Sequence, residues 1–128
     1  MHIFLDIVIL FLIPIAVLIG GFCMRFFPPK NPNGWIGYRT ELSIKNQLTW
    51  KFAQRSCGNL WILLGSVFTI LAAIYGILEL WLPEKEWTST AVIRYEVLQL
   101  FPVFASVLLI EQELKKNFDK DGNPINKE

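Results

Sequence analysis

An arginine in a glycine-containing turn is the residue best suited to chemistry in this 128-residue chain. Arg39 follows Gly37 by two residues, and a glycine at that point lets the backbone turn tightly. The planar guanidinium group of Arg39 can hold a phosphate or a carboxylate through two parallel hydrogen bonds. It can equally tie its loop to nearby helix ends by donating to backbone carbonyls. The sequence leaves both roles open.

Four other charged residues lie within long apolar runs, where charge is costly and a partner is expected. They are Asp6, Glu79, Arg94 and Glu96. Arg94 could pair with Asp6, with Glu79 or with both. The cluster would then either form an outward-facing polar pocket, where an extracellular peptide could dock, or hold the three helix ends together through ion pairs.

Catalytic and metal chemistry have few suitable residues. His2 is the only histidine, so a zinc-type cluster cannot be assembled. The sequence has no Ser/His/Asp or Cys/His constellation and no glycine-rich phosphate loop. Cys23 and Cys57 fall near the expected cytoplasmic surface, where reducing conditions disfavour a disulfide. We therefore expect no enzyme, no metal and no cofactor, and the net charge of +1 suggests no nucleic-acid partner.

The elements that must position these residues are three apolar runs of about 20 residues, the length that spans a bilayer. They cover residues 3–24, 60–82 and 91–110. Backbone polar groups in lipid must be satisfied within their own segment, so each run should be a helix. The first run has no preceding Lys or Arg and no A-x-A site, so we expect an anchored helix and not a cleaved signal peptide. The sequence predicts an all-α integral membrane protein with a three-helix membrane domain over residues 1–110.

The loop at residues 25–59 begins with proline and glycine breakers and continues with a helical pattern. We predict a short cytoplasmic interfacial helix from about Ile44 to Ser56, with Ser43 as its N-cap. Its apolar stripe is flanked by Lys51 and Arg55, which suits contact with lipid phosphates.

Three aromatic residues of the same loop, Trp35, Tyr38 and Trp50, fit a belt at the membrane surface. We expect Asn46 and Trp50, one turn apart, to hold the interfacial helix against the bundle.

Lysine and arginine residues set the orientation, because cytoplasmic loops carry an excess of them. All but two of the twelve fall in the 25–59 loop or in the tail at residues 111–128. The exceptions are Lys85 and Arg94. We therefore predict that the loop and the solvated C-terminal tail are cytoplasmic and that the N-terminus is outside.

A spaced series of polar and aromatic residues runs through the loop, and we call residues 33–55 the motif segment. It resembles the signature of SdpI-family membrane proteins, through Asn33, Gly37, Tyr38, Arg39, Thr40, Ser43, Asn46, Thr49, Trp50, Ala53 and Arg55. Gln54 departs from the pattern, in which an Asn is expected. The founding member of the family is longer, so the resemblance implies a short, three-helix form.

The resemblance implies a function in the bacterial cell membrane. The founding member gives immunity to a secreted toxic peptide, SdpC, and draws a cytoplasmic repressor to the membrane. We therefore expect immunity or sensing by binding, with membrane lipids, a toxic peptide outside and a repressor inside as partners, and a homo-oligomer as an option. The alternative is a lipid- or headgroup-handling enzyme or transporter that holds phosphate with Arg39, Lys45 and Arg55. A structural subunit of a larger membrane complex is a third interpretation.

Overall fold

Three α-helices form the part of the chain that the computed structural model describes, residues 2–81 and 89–125. Helix α1 covers His2–Phe26, α2 covers Gln47–Trp81 and α3 covers Ser89–Asn117. Within the described residues, extended pairing is limited to an isolated bridge between Phe118 and Pro124. The predicted all-α architecture with three long helices is confirmed.

Each helix contains a segment that is long and apolar enough to cross a membrane: Phe4–Phe26, Gln47–Leu78 and Val92–Asn117. Large apolar side chains project outward from all three helices, as at Leu12, Ile70 and Phe104. Such exposure is unfavourable in water but satisfied by lipid chains. By length and composition, the chain is a multi-pass membrane protein.

The first two helices pack against each other closely and in opposite directions. A Cβ atom added to Gly65 would lie 2.7 Å from the Cα of Leu18, and one added to Gly58 would lie 2.5 Å from the backbone nitrogen of Arg25. Only glycine allows the two backbones to approach this closely, a common device for packing helices in membranes. The end of α1 and the beginning of α2 therefore share one end of the bundle.

The third helix packs antiparallel to α2. The Trp61 indole N–H donates to Ser106 Oγ at 3.0 Å, and the Tyr95 hydroxyl donates to the Phe68 carbonyl at 3.1 Å. The motif segment and the end of α3 consequently meet at the same end of the bundle, which we call the motif end.

A separate interfacial helix at residues 44–56 is not found among the described residues. Residues 41–46 form turns, and α2 begins at Gln47 and continues without a break into the apolar segment. No proline interrupts these 35 residues, so nothing in the sequence stops the helix between its polar and apolar parts. At 1.5 Å per residue, α2 is about 52 Å long and exceeds a hydrocarbon layer of about 30 Å. Its first turns therefore extend beyond the lipid chains.

Part of the tail is fixed to the end of the bundle. Helix α3 continues past residue 110, and the chain then folds back so that the Ile125 N–H donates to the Asn117 carbonyl at 2.9 Å. Phe118 is buried and packs edge-on against Phe52, with ring centroids 5.5 Å apart. The exposed residues 119–121 and 123–125 agree with a solvated tail, while the apolar side chain of Phe118 anchors the segment to α2.

Candidate binding site in the motif segment

A side-chain amide on α2 fixes the middle of the motif segment. Gln54 Oε1 accepts the backbone N–H of Tyr38 at 2.8 Å, and Gln54 Nε2 donates to the carbonyl of Tyr38 at 2.7 Å. Gln54 is fully buried. The preceding Gly37 has φ = +102°, and a Cβ there would lie 2.6 Å from Gln54 Oε1. Glycine is thus required at position 37 both for its backbone angle and for the space it leaves to the amide.

Thr40 and Ser43 close a turn by reciprocal hydrogen bonds. The Thr40 N–H donates to Ser43 Oγ at 2.7 Å, and the Ser43 N–H donates to Thr40 Oγ1 at 3.4 Å. The N–H of Ile44 reaches the Thr40 carbonyl at 3.2 Å and completes one helical turn. Ser43 is therefore part of this turn and does not cap α2 as predicted.

The cap of α2 is formed by Asn46 and Thr49. The Thr49 N–H donates to Asn46 Oδ1 at 2.9 Å, and the Asn46 N–H donates to Thr49 Oγ1 at 3.1 Å, an arrangement of the capping-box type. Asn46 Nδ2 also donates to the carbonyl of Gly122 at 2.7 Å. Asn46 thus begins α2 and fastens the folded-back tail to the motif segment.

Trp50 and Asn33 hold the first part of the loop. The fully buried Trp50 donates its indole N–H to the Pro29 carbonyl at 2.7 Å. Asn33 Oδ1 accepts the N–H groups of Trp35 and Ile36 at 2.9 and 2.8 Å, a turn that asparagine often stabilises. Trp35 is 88% exposed and fits the aromatic belt, whereas the buried Tyr38 and Trp50 do not.

Arg39 has an exposed side chain whose guanidinium donates to the carbonyl of Gly34. This contact matches the loop-tying role left open by the sequence. Arg39 also lines a cavity of about 510 Å³ together with Cys57 and Trp61. The binding role stays a prediction.

A carboxylate on α3 connects the motif segment to the third helix. Glu111 Oε1 accepts from the Tyr38 hydroxyl at 2.8 Å and also accepts from Thr40 Oγ1. Burial, and then the hydrogen bond and negative charge of Glu111, raise the pKa of Tyr38 above its ordinary value. The hydroxyl therefore keeps its proton at neutral pH and can donate it to Glu111.

The three cations of the phosphate-binding alternative are not brought together. Arg39 lines the cavity that it shares with Cys57 and Trp61. Lys45 lines a different cavity beside Glu41 and Asp119, and Arg55 lines a third. A single phosphate held by all three is not supported by this arrangement.

The charged residues of the apolar runs lie in the half of the bundle that is farther from the motif segment, and Glu96 reaches the middle of α1. Asp6 and Glu96 are buried, Arg94 is exposed, and the side chain of Glu79 lies outside the described residues. Glu96 accepts the Ile13 N–H at 3.3 Å. Pairing of Arg94 with Asp6 or Glu79 remains a prediction.

A glutamine missed by sequence reasoning completes the buried polar group around Glu96. Gln99 Nε2 donates to Glu96 Oε1 at 2.8 Å. Within the described structure, its own Oε1 is buried and has no hydrogen-bond partner. Glu96 and Gln99 thus form a polar site between apolar helices.

Gln54 and Glu111 were also missed as site residues. Gln54 lies on the same face of α2 as Trp50, Ala53 and Cys57, all of them buried. This spacing of three and four residues is the signature of an inward helix face. If the second apolar run had been predicted to continue as one helix back through the motif segment, this spacing would have indicated that Gln54 is buried. Glu111 carried no comparable signal.

Comparison with known proteins gives two matches. The family model for the SdpI/YfhL protein family matches residues 30–110, which include the motif segment, all of α2 and most of α3. The curated "Uncharacterized protein YfhL" of Bacillus subtilis (strain 168) is 37% identical over 60 residues, which are 47% of this chain and 54% of that protein. The chain thus spans about half the length of the curated relative it matches. No solved structure matches it significantly.

Proposed function

Because this chain belongs to the SdpI/YfhL family of membrane proteins, we propose that it gives immunity to, or senses, a secreted membrane-active toxic peptide. In this proposal it acts by binding and not by turnover. The observation that carries the proposal is the family match across the whole motif segment. The ordered hydrogen bonding of that segment supports it, since a binding surface must keep its shape.

The proposed setting is the bacterial cell membrane, with the motif end in the cytoplasm and the N-terminus outside. All but two of the twelve lysine and arginine residues fall in the 25–59 loop and the tail. An excess of positive charge is typical of the cytoplasmic side. The described parts of these two segments lie together at the motif end.

A toxic peptide would meet the half of the bundle that carries Asp6, Glu96 and Gln99. Buried polar groups between apolar helices offer hydrogen bonds to a peptide that enters from the outer leaflet. Gln99 Oε1 supports this role, because within the described structure it has no partner. At the motif end, the exposed Arg39 is the residue that we expect to contact a cytoplasmic partner such as a repressor.

Helix α3 supplies a physical connection for sensing. Glu96 accepts from the α1 backbone at Ile13, and Glu111 accepts from Tyr38 in the motif segment. The two carboxylates are about 22 Å apart along the helix at 1.5 Å per residue. A shift of α3 caused by a bound peptide would therefore reach the motif segment through Tyr38.

Binding without turnover fits the way the polar side chains of the motif segment are used. Gln54, Asn46 and Ser43 all direct their groups to backbone atoms. Groups used in this way hold a loop in shape and are not available as nucleophiles or bases. The lipid-handling enzyme is the less supported alternative, because its three cations line three different cavities.

Survival of a toxin-sensitive bacterial strain tests the proposal. Cells that express this chain are challenged with an SdpC-like peptide, and cells with an empty vector serve as the control. We expect higher survival with the chain, at membrane levels verified by immunoblot. If well-expressed protein protects against none of a panel of such peptides, the proposal is wrong and the lipid-handling alternative gains support.

A further inference from the structure

The cavity lined by Arg55 has a volume of about 600 Å³ and opens at the motif end, between the end of α1, the first part of the loop and the first turns of α2. Its size is in the range of small-ligand sites. Four cationic side chains line it, and none of its lining residues is acidic: the cations are Arg25, Lys30, Lys51 and Arg55. This cavity is distinct from the one beside Arg39.

The positive charges of this cavity are not neutralised by the described parts of the chain. No ion pair involves any of the four cations there, and Arg25 lies 5.4 Å from the centroid of the Phe26 ring. Lys51 and Arg55 are one helical turn apart, where like charges repel each other. A bound anion would remove this repulsion.

The depth of the cavity identifies the kind of anion. Arg25 is next to the last residue of the apolar segment Phe4–Phe26, and Gly58 of α2 packs against its backbone. Arg55 and Lys51 are therefore about 4.5 and 10.5 Å beyond that level along α2, at 1.5 Å per residue. A headgroup layer of about 5–8 Å lies at the level of Arg55, and the long side chain of Lys51 can reach back into it. Met24 and Pro28 add apolar surface to the cavity wall.

We propose that this cavity binds the headgroup of an anionic phospholipid, with its phosphate held by Arg25, Lys51 and Arg55 and approached by Lys30 from the loop. The bound lipid would brace the loop, because Trp50 in the cavity wall donates to the Pro29 carbonyl. This site does not depend on the toxin-binding proposal.

Lipid retention by the purified protein tests the site. The full chain in a neutral detergent is mixed with equal amounts of phosphatidylglycerol and phosphatidylcholine, and native mass spectrometry counts the lipids that stay bound. We expect wild type to prefer phosphatidylglycerol by about tenfold or more, since each nearby cation strengthens attraction to an anionic lipid. Lys30→Gln together with Lys51→Gln should reduce this preference to about onefold to threefold.

The matched control is Lys116→Gln together with Lys120→Gln, which makes the same charge change with exposed residues outside the cavity. This variant should keep the wild-type preference. Equal loss in both variants would reduce the effect to general attraction and overturn the site. Lys30 and Lys51 are exposed, and their side chains make no hydrogen bond within the described residues, so the variant should fold. If it does not, Lys51→Gln alone should lower the preference several-fold, and an unchanged preference would contradict the proposal.

Inorganic phosphate distinguishes a lipid from a soluble phosphate. At ten-millimolar phosphate, we expect phosphatidylglycerol to remain bound, because its chains keep the headgroup at the cavity. Displacement of the lipid by phosphate, with phosphate also stabilising the protein in phosphatidylcholine alone, would assign the cavity to a soluble anion and overturn the lipid assignment.

Discussion

Gln54 pairs with both backbone groups of Tyr38, accepting from its N–H at 2.8 Å and donating to its carbonyl at 2.7 Å. A side chain on α2 thereby satisfies the backbone groups of a loop residue, as a neighbouring strand would do, and holds that residue in place. The tyrosine side chain continues the connection to Glu111 on α3. These contacts join the loop, α2 and α3 at one point.

Gln54→Asn should destabilise the protein even though it conserves the amide. The side chain becomes one methylene shorter, so it cannot reach both groups of Tyr38. The buried backbone N–H and carbonyl then lose their partners, at a cost of about 2–3 kcal/mol. Thermal unfolding in detergent measures the loss. Gln112→Asn, the same change at an exposed position of α3, should have little effect, and equal stability of both variants would contradict the importance of the Gln54 pairing.

Gly37→Ala should be destabilising in the same assay. Its φ of +102° disfavours any side chain, and the new Cβ would lie 2.6 Å from Gln54 Oε1. We expect a loss of about 1–3 kcal/mol from backbone strain, with a further loss if the amide is displaced. Gly34→Ala is the matched control, because a Cβ there meets nothing within 4 Å. A tolerated Gly37→Ala would mean that the loop can adopt another path.

The three spans could be predicted because lipid requires long apolar runs, and such runs are visible in the sequence. The beginning of α2 could not, because hydropathy falls before Leu60 although the backbone remains helical back to Gln47. A change from lipid to headgroup changes which side chains are favourable, but it does not end a helix. A separate interfacial helix was predicted because the end of the apolar run was taken to be the end of the helix.

The motif segment was predicted as a unit, but the use of its side chains was not. Asn46 caps α2 where Ser43 was expected. An N-cap directly precedes the first helical residue, which was predicted at Ile44 and lies at Gln47. Gln54 seemed a mismatch to a family pattern, and its role depends on Tyr38, 16 residues away. The contact between Asn46 and Gly122 joins segments that no local pattern relates.

The proposed orientation predicts opposite accessibility for two introduced cysteines. In a background with Cys23→Ser and Cys57→Ala, Ser89→Cys should react with a membrane-impermeant thiol reagent added to intact cells. Asn123→Cys should react only after the cells are opened. The reverse pattern would place the motif end outside and remove the basis for a cytoplasmic partner.

The buried carboxylate of Asp6 predicts energetic coupling between α1 and the α3 residue Arg94. If Arg94 pairs with Asp6, Arg94→Ala leaves the buried Asp6 without that charge and should lower stability in detergent. Adding Asp6→Asn should then recover part of the loss, by about 0.5–3 kcal/mol of coupling. Additive losses, both for this pair and for Arg94 with Glu79, would show that Arg94 points into the headgroup region and has neither carboxylate as a partner.

The activity of the motif segment should depend on Arg39 and Asn46. Arg39→Lys keeps the charge but loses the planar fork, so it separates a specific contact from general attraction to anionic lipid. Asn46→Ala removes both the cap of α2 and the bond to Gly122, with a cap worth about 1 kcal/mol. We expect either change to abolish protection in the survival assay while the protein still inserts and accumulates.

Lys116→Ala provides the control for this last prediction, since Lys116 is an exposed cation at the motif end but outside the motif segment. It should protect as well as wild type at equal membrane levels. Thermal unfolding of each variant separates lost function from lost folding, because Arg39 is exposed and Arg39→Lys should unfold close to the wild-type temperature. Full protection by Arg39→Lys would limit Arg39 to its contact with the Gly34 carbonyl. Loss of protection at unchanged stability would identify its guanidinium as a specific binding group.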